Sequence, residues 1–124
     1  MESIFNVTRH FEKDLRKLGE SDRRKVETSI SQTFHEFGNR ANGFSRKVYR
    51  PRIVHLDKGL ESSLYCLRVD PSLRVILTVD EDPVFGQVII TLMRAVGHKD
   101  LMKAFDSIAE SLYQREFASA NGDR

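Results

Sequence analysis

The sequence predicts an α+β fold, and three observations carry that reading. Phe11, Leu15 and Leu18, followed by Val26, Ile30, Phe34 and Phe37, recur at helical spacing and form two apolar stripes separated by Gly19. Leu73, Val75, Leu77 and Val79 alternate, as a strand with one buried face requires. Turn chemistry at Asp70-Pro71-Ser72 and between Glu81 and Gly86 joins three strands in succession, which makes hairpins of an antiparallel sheet.

Taken in order, Ser3 to Thr8 alternates and suits a first strand. The first helix should stop at Gly19, free to adopt a left-handed C-cap, and Ser21 or Asp22 should cap the second, which Gly38 ends. The short link between them predicts a helical hairpin. Residues 39–45 read as loop, and Arg46 to Leu56 reads as an irregular strand or a long basic loop, because Pro51 removes a ladder donor. Strands follow over Leu60–Val69, Leu73–Asp80 and Gln87–Met93. A last helix over about Asp100–Phe117 carries Leu101, Phe105, Ile108 and Leu112, and residues 118–124 should fray.

Parity divides the sheet into two faces. Tyr65, Leu67 and Val69 join Leu73, Val75, Leu77 and Val79 on a side that must meet helices. Leu64, Cys66, Arg68, Arg74, Ile76 and Thr78 make a mixed opposite face with cations at one end.

The chain's 124 residues, 40% hydrophobic and 31% charged, suffice for one modest core, so a single domain over 1–124 is expected. Twenty Lys and Arg against eighteen Asp and Glu leave only +2, which excludes a histone-like polycation. Charge is instead unevenly spread. Arg40, Arg46, Lys47, Arg50 and Arg52 run without an acidic neighbour up to His55, while Asp80-Glu81-Asp82 concentrates negative charge. One cysteine, no export signal and no apolar run near the ~18 residues of a membrane helix predict a cytoplasmic protein. The four histidines are dispersed and no C-x-x-C or H-x-x-x-H spacing occurs, so neither metal nor cofactor is expected.

The stretch LRVDPSLRV poses the chemical question. A hairpin closed by Asp70-Pro71-Ser72 sets Val69 against Leu73 and Arg68 against Arg74, and like charges so placed repel. An anion between them removes the penalty, and a phosphodiester matches guanidinium forks well. His98 and Lys99, at the end of the following strand, could reach the same end of the sheet. The alternative is structural: Arg68 pairs with Asp70 or Asp80, Arg74 lies along the sheet, and nothing binds.

The segment SLYCLRVDPSLRVILTVDEDPVFGQVIITLMRAVGHKDLMKAF, with the opening FEKDLRKL, resembles the RelE/ParE superfamily of bacterial toxin-antitoxin systems. The inserted basic stretch 40–58 fits less well. The resemblance implies the compact toxin fold, with an N-terminal strand and helical hairpin packed on an antiparallel sheet and a C-terminal helix. It also implies neutralisation by a cognate antitoxin and, in the RelE branch, metal-independent cleavage of mRNA on the ribosome. In that chemistry the ribose 2′-hydroxyl attacks the adjacent phosphate, and electrostatics dominates. The resemblance gives Arg74 the scissile phosphate, Lys99 the charge on the phosphorane or leaving oxygen, and His98 the general base, with Arg68 adding a phosphate contact. Lys47, Arg50, Arg52 and His55 are further candidates for RNA contact. Leu64 and Cys66 stand where RelE has two lysines, and Phe105 stands where many members have a tyrosine. Phe105 keeps a stacking surface but no proton. A ParE-like gyrase inhibitor, or a descendant that only binds an antitoxin, remains the alternative.

Overall fold

The computed structural model describes residues 2–35, 47–51 and 63–120. Its elements run β1 (Glu2–Val7), α1 (Arg9–Lys17), α2 (Glu20–His35), β2 (Val48–Tyr49), β3 (Leu64–Asp70), β4 (Leu73–Asp82) and β5 (Gln87–Gly97). A 3₁₀ turn at His98–Asp100 leads into α3 (Leu101–Ala120). This is the expected α+β architecture. The strands form one five-stranded sheet in the order β1-β5-β4-β3-β2.

The sheet is mixed, not purely antiparallel. β1 enters as an edge strand parallel to β5, with Glu2 opposite Gln87 and Val7 opposite Leu92. A parallel pair needs a crossover connection, and here that crossover includes the helical hairpin between the two strands. Thr8 ties the junction: its hydroxyl accepts from Phe11 N at the start of α1 and donates to the carbonyls of Leu92 and Met93.

The first helix ends differently from expectation. Gly86, in the β4–β5 turn, is the glycine with positive φ among the described residues, and Gly19 is not left-handed. Leu18 instead turns to extended backbone (φ −78, ψ 149), and the Arg23 side chain donates to the Leu15 and Leu18 carbonyls. A guanidinium fork thus satisfies the orphan acceptors that a glycine cap would otherwise meet. Ser21 and Asp22 lie inside the first turn of α2 instead of capping it, and the expected end at Gly38 lies outside the described residues.

Both faces of the sheet are covered. Phe11 of α1 and Val26, Ile30 and Phe34 of α2 pack with Leu67, Val75, Leu77, Val79, Val88 and Ile90. On the reverse face, Leu101, Ala104, Phe105 and Ala109 of α3 pack with Leu64, Cys66, Ile76 and Val96. The face expected to be mixed is therefore mostly a second core, because the stripe of α3 supplies the apolar cover that Leu64, Cys66 and Ile76 need to leave water. α3 also continues to Ala120, past its expected end at Phe117.

β5 extends to Gly97, four residues beyond expectation. A bulge explains the undershoot: Leu77 pairs with Leu92 and Ile76 with Arg94, so Met93 is the extra residue. Val88, Ile90, Leu92 and Ala95 then join one core while Met93 and Val96 join the other. The one-residue slip breaks simple alternation in the sequence.

Candidate functional site

The β3–β4 turn is tighter than the three-residue turn expected. Asp70 pairs with Leu73, and a bulge between Arg68 and Asp70 absorbs Val69. Asp70 makes the turn: its carboxylate accepts from Ser72 N at 2.8 Å and from the Ser72 hydroxyl at 3.1 Å. These bonds, led by the backbone one, hold its carboxyl below the usual range, and Lys25 adds to the effect at 3.4 Å.

Despite the bulge, Arg68 faces Arg74 as the sequence suggested. The two side chains differ in environment. Arg68 is exposed, and Arg74 is 6% exposed. The Arg74 guanidinium folds back to the turn, where Nη1 donates to the carbonyls of Asp70 and Leu73 and Nε donates to the Tyr49 hydroxyl at 3.3 Å. Nη2 makes no hydrogen bond among the described residues, yet it is not one of the buried atoms left without a partner. Asp70 and Asp80 do not pair with Arg68, so the structural alternative for that residue is not realised among the described residues.

The strand-to-helix junction comes to the same end of the sheet. Gly97 pairs with Leu73, and His98 N donates to the Ser72 carbonyl at 2.8 Å. His98 and Lys99 are exposed on the 3₁₀ turn. The local cause is Gly97, whose extended backbone (φ −70, ψ 155) ends the strand before the turn begins. Arg68, Arg74 and the backbone of residues 98–99 thus converge on the β3–β4 turn.

Other expected residues do not join them. Phe105 is wholly enclosed at 0% exposure within the α3 core, so base stacking is withdrawn: a ring without accessible surface offers no face to a nucleobase. Arg50 lies on the opposite face, its guanidinium 4.7 Å from the Tyr65 ring centroid and bonded to the Tyr65 hydroxyl at 2.8 Å. Tyr65 and Cys66 point to opposite faces of β3, so Arg50, held on Tyr65, is separated from Tyr49, which pairs with Cys66, and hence from Arg74. Lys47 lines a groove of about 310 Å³ between α2 and β3, with Arg24, Lys25, Ser29 and Val69. Arg52 and His55 lie outside the described residues. Leu64 and Cys66 are core, and burial, the leading cause, pushes the Cys66 thiol up.

The sequence reading missed two features. Tyr49 sits opposite Cys66 in the β2–β3 pair and touches Arg74, although Pro51 nearby argued against a regular strand. Burial, followed by contact with Cys66, raises its phenolic pKa. The second is Asp14, whose carboxylate binds Arg94 Nε at 2.6 Å and Nη2 at 3.2 Å and accepts from Ala95 N at 2.9 Å. It closes the edge of β5 just beyond the last β1 partner. A groove of about 450 Å³ runs past this pair between α1, β5 and α3, lined in part by Lys17, Gly97, Asp100 and Lys103. No signal in the sequence links residues 80 positions apart.

No helix among the described residues is long and apolar enough to cross a membrane. No protein-family model matches the chain, and no curated protein matches it in sequence. Solved structures do match. A YoeB/ParE toxin from Agrobacterium tumefaciens superposes with a TM-score of 0.50 at 14% identity, covering 79% of this chain and 99% of the toxin. YafQ from E. coli strain BL21(DE3) superposes with a TM-score of 0.50 at 11% identity, covering 81% of this chain and 98% of YafQ. With its five-stranded sheet between a helical hairpin and a C-terminal helix, the chain shares the fold of the YoeB/ParE toxin and of YafQ.

Proposed function

We propose that this chain is the toxin of a type II toxin-antitoxin system, acting as a RelE-like endoribonuclease on ribosome-bound mRNA. One observation carries the reading: two arginines face each other without a carboxylate partner among the described residues, at the sheet end where His98 is tied to Ser72. A phosphodiester entering there meets Arg74 Nη2, which makes no hydrogen bond among the described residues, and the exposed fork of Arg68. Lys99 stabilises charge on the phosphorane, and His98 takes the proton of the attacking 2′-hydroxyl. Lys47 belongs to a separate basic groove on the α2 side and, in this reading, contacts a more distant part of the RNA. The partner is a small antitoxin covering the cationic end of the sheet, and the toxin acts in the cytoplasm.

The test is induced expression with growth and transcript integrity followed together. Wild-type protein should arrest growth and leave cut mRNAs. Arg74→Ala combined with Lys99→Ala should abolish both while a thermal melt still shows a folded protein. One observation favours a rival, gyrase inhibition through protein contacts: Leu64 and Phe105 carry no acid-base group and the Cys66 thiol is buried, which leaves fewer such groups for cleavage. Growth arrest with intact transcripts and relaxed DNA would establish that rival instead.

A further inference from the structure

We propose that Tyr49 is the general acid of this site, giving its phenolic proton to the oxygen that leaves when the RNA chain is cut. The inference rests on the ribonuclease reading above. A departing 5′-oxygen needs a proton, and Phe105 has none to give and no exposure. The Cys66 thiol is buried. Tyr49 is half-buried at the rim of the α3 core, and it is the side chain that accepts from Arg74 Nε, at 3.3 Å. That bond uses a lone pair of the phenol, while its O–H meets the Cys66 sulfur and has to turn from it to the leaving oxygen.

The surroundings suit an acid. Burial and the Cys66 contact keep the phenol neutral at working pH, and Arg74 opposes them. The Nε–H bond to the phenolic oxygen strengthens as that oxygen becomes a phenolate, because a bond to an ion is roughly twice as strong as one between neutral groups. The gain is therefore realised as the proton departs, which is when it lowers the barrier. Arg74 would serve two oxygens, the phosphate through Nη2 and the phenolate through Nε.

The step balances. The 2′-oxygen forms a bond to phosphorus while His98 takes its proton, and the bond from phosphorus to the 5′-oxygen breaks. The electron pair of that bond takes the Tyr49 proton, leaving a cyclic phosphate and a 5′-hydroxyl. Water returns a proton from His98 to the phenolate and resets both groups.

A substrate whose 5′-bridging oxygen is replaced by sulfur tests this, since a thiolate leaves without protonation. Wild type and Tyr49→Phe are compared in single-turnover cleavage of ribosome-bound mRNA carrying oxygen or sulfur at the cut. With oxygen, Tyr49→Phe should be slower by about 10²–10³. With sulfur, the two proteins should cut at similar rates. An equal deficit on both substrates means that the phenol merely holds Arg74 in place, and no deficit on either means that it is idle; each result overturns the proposal. If wild type cuts neither mRNA, the ribonuclease reading itself fails and this inference falls with it.

Discussion

Arg68 and Arg74 stand opposite each other on adjacent strands, and only Arg68 is exposed. Repulsion between them is eased because Arg74 turns to the Asp70 and Leu73 carbonyls, which take hydrogen bonds but carry no charge of their own. The pair thus combines a positioned cation with an accessible one.

Removing each arginine should have different consequences. Arg68→Ala should leave stability unchanged or raise it by up to about 1 kcal/mol, since it removes a like-charge pair. It should also weaken RNA binding and flatten its salt dependence. Arg74→Ala should cost about 1–3 kcal/mol, because buried carbonyls lose their donor. Urea melts and RNA titrations at two salt concentrations separate these effects.

Asp14 holds the edge of β5 through Arg94 and Ala95 N. Asp14→Ala should destabilise by about 1–3 kcal/mol, and Asp14→Asn by less, since an amide oxygen still accepts from Ala95 N. Hydrogen exchange at Ala95 should accelerate in the alanine variant before the rest of the sheet responds. Unchanged exchange there would contradict the edge-closing role.

Phe105 behaves as core. Phe105→Ala should cost about 3–5 kcal/mol, as large cavities in aromatic sites do. Phe105→Tyr should lower the melting temperature without raising the cleavage rate, because the added hydroxyl has to be buried. A gain in cleavage rate would mean that the ring opens to substrate.

Asp70 makes the fold acid-sensitive. Its carboxyl is held below the ordinary range in the folded state, chiefly by Ser72 N, so the unfolded chain binds the proton more readily. Its contribution is complete above the unfolded value of about 3.9 and is lost as pH falls through the lower folded value. Asp70→Asn should therefore be less stable than wild type at neutral pH, with the gap closing in acid. Chemical denaturation from pH 7 down to pH 2 reads that gap directly.

Legibility followed the range of the interactions. The strands β3 and β4, the helical stripes and the opposition of Arg68 to Arg74 rest on neighbours along one element or across one hairpin, so periodicity and turn chemistry revealed them. Even there the bulge at Val69 was invisible, because an extra residue in one strand changes the count without changing the residue types. The bulge at Met93 hid the end of β5 for the same reason.

The sequence by itself determined the α+β order of elements and the gathering of cations at the β3–β4 turn, since local pattern carries both. Only the tertiary structure decided that α3 seals Phe105 and Cys66 inside, that Arg50 lies on the far face, and that Tyr49 meets Arg74. Those outcomes depend on which distant surfaces gain most by leaving water together. No short-range spacing records that sum.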